Sequence, residues 1–239
     1  MSEHAIRTHF PGRLIFIGFG SIGQGVLPLI LRHVGGLAAE RITIVTADDA
    51  GREEAGRYGI KFINHPLTRE NFRHVLDPLV GRGDFVLNLS VDVSSIALIK
   101  LCHEQGALYL DTCIEPWPGG YTDSNIPASR RTNYALREEV LELRKAWSNG
   151  PTAVITHGAN PGLVLHFVKQ ALLDIAAGCG RDPGDPKSRE DWATLAKDLG
   201  VKVIHIAERD TQVSNRPKMP GEFVNTWSVD GFVSEGSQP

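Results

Sequence analysis

Short apolar runs alternate with stretches of helical periodicity from residue 14 to residue 156. Leu14–Ile17 is apolar at every position, which predicts a strand covered on both faces. Ile22, Val26, Leu27, Ile30 and Leu31 follow at the three- and four-residue spacing of a helix. Further strands are predicted at Ile42–Thr46, Lys61–Asn64, 84–90, 107–111 and 152–156. A helix capped by Ser94 or Ser95 runs to residue 105, and another spans 132–146, with a loop rich in Pro and Gly over 115–127 between them. This alternation predicts an α/β fold, a Rossmann-type doubly wound parallel sheet with right-handed crossovers.

The pattern changes after residue 158. Asn160-Pro161-Gly162 reads as a helix start, with Asn160 as N-cap and Pro161 in the first turn. Leu163, Val164, Phe167, Val168, Ala171, Leu172 and Ile175 continue that helix. Ser188 and Asp191 suggest the start of a shorter one. Residues 201–207 and 223–229 read as strands of a separate sheet, and two strands do not make an independent sheet. The expectation is a dinucleotide-binding domain over 1–158 and the start of an incomplete α+β substrate domain over 159–239.

The link between the first strand and first helix is Gly18-Phe-Gly20-Ser-Ile-Gly23. A G-x-G-x-x-G turn between strand and helix is a dinucleotide-binding fingerprint. The first glycine serves the tight turn, the second the close approach of a pyrophosphate, the third helix–strand packing. Asp48 or Asp49, just past the second strand, is placed to meet an adenosine ribose hydroxyl. That favours NAD over NADP, whose 2′-phosphate would face a negative charge. The alternative for both is a solvated loop.

Composition narrows the function classes. Of 239 residues, 41% are hydrophobic and 22% charged, which suits a packed core, and a net charge of -3 gives no electrostatic reason to expect nucleic acid. The three cysteines form no CxxC pair, which argues against a zinc site and suits a reducing cytoplasm. No apolar run is long enough to cross a bilayer, and the first residues lack the apolar segment of a secretory signal.

Ligands of open α/β sheets bind at the carboxyl ends of strands, which singles out 18–23, 46–49, 90–93, 111–115 and 157–161. The residues there, and some later ones, carry a resemblance. Gly-Phe-Gly-Ser-Ile-Gly (18–23), Asn-Leu-Ser-Val-Asp (88–92), Leu-Asp-Thr-Cys-Ile-Glu-Pro-Trp (110–117), Thr-His-Gly-Ala-Asn-Pro-Gly (156–162), Ala-Glu-Arg-Asp-Thr-Gln (207–212) and Asn-Thr-Trp-Ser-Val-Asp-Gly-Phe (225–232) together resemble the N-terminal half of the bacterial homospermidine synthases, relatives of the saccharopine dehydrogenases. The resemblance runs in register along essentially the whole chain.

The resemblance implies an enzyme that holds NAD as a prosthetic group and converts putrescine to homospermidine. Hydride is abstracted, an imine forms, ammonia leaves, and the hydride returns. It further implies Gly18, Gly20, Ser21, Ile22, Gly23, Asp48, Val91, Asp92, Thr112 and Asn160 at the cofactor. Glu208, Trp227, Glu115, Asp92, Asn160 and Glu235 fall at the catalytic positions. No metal is implied. The expected partner is a diamine, with no nucleic acid or membrane, and a homodimer is expected at full length.

The chemistry suits these residue types. Putrescine is a dication, so carboxylates must hold an ammonium and assist amine deprotonation. An indole face stabilises a cation, which gives Trp227 a role beyond strand packing. Each residue has a plainer reading: Asp92 as a helix cap, Glu208 paired with Arg209, Cys113 as packing. Two other functions remain open at this point. A saccharopine-type amino-acid dehydrogenase would need arginines for carboxylate substrates. A dinucleotide-binding remnant without catalysis would fit an incomplete second domain.

Overall fold

The computed structural model describes residues 6–209, 211, 213, 215–222, 224 and 229–236. It divides into two compact units, Met1–Thr156 with Pro217–Pro239, and His157–Arg216.

In the first unit the elements run β1 (Thr8–His9), β2 (Leu14–Ile17), α1 (Ser21–His33), β3 (Val34–Gly35), β4 (Ile42–Thr46), α2 (Arg52–Arg57), β5 (Lys61–Asn64), α3 (Phe72–Leu76), β6 (Phe85–Asn88), α4 (Ser95–Gln105), β7 (Leu108–Asp111), α5 (Asn133–Ala146) and β8 (Ala153–Val154). Six strands form one parallel sheet in the order β5-β4-β2-β6-β7-β8. The chain builds outward from β2 in one direction, then returns to β6 and builds in the other. The reversal leaves a crevice between β2 and β6 at the carboxyl edge.

β2 explains its own sequence. Leu14 and Phe16 enter one core with Leu27, Ile42, Ile44 and Ala55, beneath α1 and α2. Ile15 and Ile17 enter the opposite core with Leu76, Val86, Leu98 and Tyr109, beneath α3 and α4. Side chains alternate between faces with a period of two, so a central strand with both faces covered needs apolar residues throughout. Each fully buried aliphatic or Phe side chain contributes about 1.5–3 kcal/mol.

The sheet strands and α1, α4 and α5 follow the sequence pattern. Ser94 Oγ accepts from Ala97 N at 3.3 Å and so caps α4. Thr132 Oγ1 caps α5 through Ala135 N at 3.1 Å. Expected strand 152–156 shrinks to Ala153–Val154 at the sheet edge. The parallel pair β1–β3 and the short helices α2 and α3 are not visible in the pattern, because they are too brief to show a period.

Among the described residues of the second unit, α6 (Leu163–Gly178) and α7 (Arg189–Asp198) are the helices. Ser188 and Asp191 form the full reciprocal capping box of α7. Two expectations need correction. Asn160 does not cap α6: the cap position is Gly162, without a side-chain bond. The loop folds on itself instead, and Leu163 N and Val164 N donate to Gly158 O and Ala159 O at 2.9 and 3.0 Å. Backbone carbonyls thus satisfy the amides that a cap would serve. Residues 201–207 form no strand, because a strand requires a ladder partner and none pairs with them among the described residues. Of 223–229, residues 223 and 225–228 lie outside the described residues, and Val229 opens α8 (Val229–Gly236) of the first unit.

Candidate functional site

The crevice at the β2–β6 reversal is a cleft of ≈ 510 Å³, within the range of small-molecule sites. The glycine turn forms its floor. Gly18 stands at φ +82°, and a Cβ there would come within 2.8 Å of Ser90 Cα and N. Only glycine allows the β2 exit to press against the β6 exit in this way. A Cβ on Gly23 would meet the Phe19 ring at 2.9 Å, so this glycine lets α1 lie close to the turn. A Cβ on Gly20 would meet nothing within 4 Å. Gly20 lines the cleft, so the space it leaves is open to a ligand. No side chain caps α1 and no acid stands in its first turn, so its positive end is available to an anion. These features fit a dinucleotide pyrophosphate.

Gly18, Gly20, Ser21, Ile22, Asp48, Val91, Asp92, Thr112 and Glu115 all line this cleft. Gly23 lies behind it as packing. The two aspartates after β4 separate in role. Asp48 lines the cleft, and its Oδ1 accepts from Ala50 N at 2.8 Å. Asp49 turns to Arg52 and Asn64. Asp92 sits at φ +63°, and with Ser94 as the cap of α4, it is not needed as a helix cap.

Glu115 is buried at 4% exposure. Its backbone N–H donates to Ser95 Oγ at 2.9 Å, and Ser95 N donates to Glu115 O at 2.9 Å. That double tie fixes the β7 exit to the start of α4. Beneath it runs a buried polar chain. Tyr109 OH donates to Asp111 Oδ2 at 2.8 Å and accepts from Asn88 Nδ2 at 3.1 Å. Asn88 Oδ1 accepts from Ser90 Oγ at 2.6 Å, and Ser90 lines the cleft. Thr156 N donates to Asp111 Oδ1 at 2.5 Å. Burial pushes the Asp111 carboxyl up to about 6, against the opposing pull of its hydrogen bonds.

Asn160 and Glu208 belong to the second unit, and Glu208 is exposed. Trp227 lies outside the described residues, and Glu235 falls on α8. Sequence reasoning missed His65, Pro66 and Leu67 on the cleft wall. They follow β5, and the carboxyl-end rule, extended to that weak strand, finds them. Among the described lining residues the acidic side chains are Asp48, Asp92 and Glu115, with no lysine or arginine. The described residues contain no group of His, Cys, Asp and Glu that could hold a metal ion. No helix among them is long and apolar enough to cross a membrane.

Residues 14–154, from the first sheet strand to the last, match the family model described as the saccharopine dehydrogenase NADP binding domain. The chain belongs to this family. Homospermidine synthase from Blastochloris viridis is 49% identical over 242 residues, covering 100% of this chain and 50% of the relative. Homospermidine synthase from Mesorhizobium japonicum is 47% identical, covering 95% of this chain and 48% of the relative. The chain thus spans about half the length of the curated relatives it matches. The crystal structure of homospermidine synthase from Legionella pneumophila in complex with NAD is 44% identical, with a TM-score of 0.80. That likeness covers 95% of this chain and 47% of the solved one.

Proposed function

We propose that this chain is the cofactor-binding portion of a homospermidine synthase-type enzyme. The observation that carries the reading is the acidic lining of the cleft: the glycine turn suited to a pyrophosphate shares one cavity with Asp92 and Glu115, without a lysine or arginine on its described wall. A diamine dication needs such carboxylates. A saccharopine-type substrate, itself a carboxylate, would need a cation there.

The cofactor is NAD. Gly18, Gly20 and the first turn of α1 would hold its pyrophosphate, and Asp48 the adenosine ribose. Bound in the cleft, NAD supplies reversible acceptance of a hydride. Asp92 and Glu115 would orient one ammonium of putrescine and take a proton from the amine that becomes an imine. A second putrescine then adds its amine to that imine, ammonia departs, and hydride return completes homospermidine. The balance is two putrescines to one homospermidine and one ammonia, with no net oxidation. Glu208, Asn160, Trp227 and Glu235 are assigned to substrate handling by the resemblance, with Trp227 facing the cation of the amine and iminium stages.

The test is homospermidine formation from putrescine and NAD by a polypeptide containing this chain. Homospermidine made from putrescine fully deuterated at its amine-bearing carbons should retain every deuteron, without accumulation of reduced cofactor. Steady net reduction of NAD with an amino-acid substrate would overturn the reading. In the same polypeptide, Trp227→Ala should slow turnover roughly 2- to 30-fold, the equivalent of one cation–π contact, with NAD affinity retained.

A further inference from the structure

The adenosine end of the cleft holds an arginine that does not line it. Arg52 opens α2, directly after the loop in which Asp48 and Ala50 form the cleft wall. Its guanidinium is engaged twice. Asp49 Oδ1 accepts from Arg52 Nε at 2.8 Å and from Nη2 at 2.5 Å. The guanidinium carbon also lies 4.6 Å from the Phe62 ring centroid. Asn64 Nδ2, at the end of β5, donates to the same Asp49 Oδ1 at 3.0 Å. His65 and Pro66, the next two residues, are again cleft wall. The pair therefore sits between two cleft-lining segments, at the carboxyl ends of β4 and β5.

A 2′-phosphate in this corner would meet the Asp48 carboxylate and would need a cation to offset it. Arginine is the side chain suited to that task, through its planar fork of donors. We infer that Asp49 is a cofactor-selectivity residue, which keeps the Arg52 guanidinium from a 2′-phosphate and so disfavours NADP at a site where a phosphate receptor stands ready. The inference rests on the dinucleotide reading of the cleft. It separates two effects within one loop: Asp48 acts on the ribose, whereas Asp49 acts through Arg52. The pairing holds the Asp49 carboxyl below its ordinary range, chiefly through the Arg52 hydrogen bonds, so it stays ionised at neutral pH.

Calorimetric titration of NAD and NADP into the parent and three variants tests this, with thermal melts as a folding control. Asp49→Asn keeps the size of the side chain and frees the guanidinium. It should tighten NADP binding by roughly 3- to 10-fold, through release of an exposed ion pair and loss of one nearby negative charge. NAD affinity should move less than about 3-fold, because the pair is exposed and screened. Asp49→Asn with Arg52→Met should lose the gain. Arg52→Met alone should leave the weak NADP affinity unchanged, since the cation it removes was already engaged. An unchanged NADP-to-NAD ratio in Asp49→Asn would overturn the inference, as would a gain that survives loss of Arg52. NADP weakened by Arg52→Met alone would overturn it too. In each of these cases the dinucleotide site would remain. If the folded parent bound neither cofactor, the reading of the cleft would fail and the selectivity inference with it.

Discussion

Gly18 and Gly20 share a motif but answer to different forces. Gly18→Ala forces a Cβ into the Ser90 backbone at a left-handed φ, so it should destabilise the fold by about 2–4 kcal/mol. Gly20→Ala meets no protein atom, and its φ of -75° suits any residue. It should change stability by less than about 1 kcal/mol. It should nevertheless weaken NAD by at least roughly 10-fold, because the methyl stands where the pyrophosphate approaches. Urea unfolding and calorimetry on the two variants separate the effects; equal losses of stability would contradict the assignment. Asp111 offers a test in pH. Its folded value of about 6 exceeds the ordinary 3.8, so the folded state binds the extra proton between those values. Its stabilising contribution is present below the ordinary value and is lost as pH rises through the folded one. Asp111→Asn removes this dependence. The stability gap between variant and parent should move in the variant's favour by up to roughly 3 kcal/mol from about pH 4 to about pH 7. Parallel pH profiles in urea unfolding would show that Asp111 ionises as readily folded as unfolded.

At the scale of elements, the sheet is tied at its amino edge by a pair far from the glycine turn. Asp84, 5% exposed, precedes β6 and accepts from Arg13 N at 2.9 Å, Arg13 Nη2 at 2.6 Å and Gly81 N at 2.8 Å. Arg13 in turn leads into β2, so the two central strands enter the sheet locked together. Asp84→Asn replaces one accepting oxygen with an amide donor that faces converging donors, and leaves a guanidinium without its counter-charge. Arg13 is half exposed and water offsets part of the loss, so the cost should be about 2–3 kcal/mol. NAD affinity, measured well below the melting temperature, should stay within about 2-fold of the parent, since the pair stands at the opposite edge from the cleft. A large drop in affinity with intact stability would mean that the amino edge reaches the site.

At the scale of the whole molecule, cofactor and fold are thermodynamically linked. A ligand that binds only the folded state at 100 times its Kd adds about 2.7 kcal/mol. NAD at that excess should raise the melting temperature of the chain, and NADP at the same concentration should raise it less. Equal shifts from the two would contradict the selectivity assigned to Asp48 and Asp49.

The parallel sheet was legible in the sequence because its signals are local. A fully apolar run such as Leu14–Ile17 and the spacing of Ile22, Val26 and Ile30 report burial one element at a time. The glycine turn was legible for the same reason, since its chemistry lies within six consecutive residues. Three things depended on the third dimension. Asp48 and Asp49 are equivalent as neighbours in sequence, and only the approach of Asn64 and Arg52 turns one away from the cleft. The chain from Asp111 through Tyr109 and Asn88 to Ser90 joins two strands and a loop, and neither its burial nor its raised carboxyl follows from any one segment. Residues 201–207 have the composition of a strand, but a strand exists only where another backbone meets its hydrogen bonds. Sequence by itself determined what each segment prefers and where a phosphate could bind. Tertiary structure decided which polar groups meet, because hydrogen bonding and desolvation depend on neighbours that are remote along the chain.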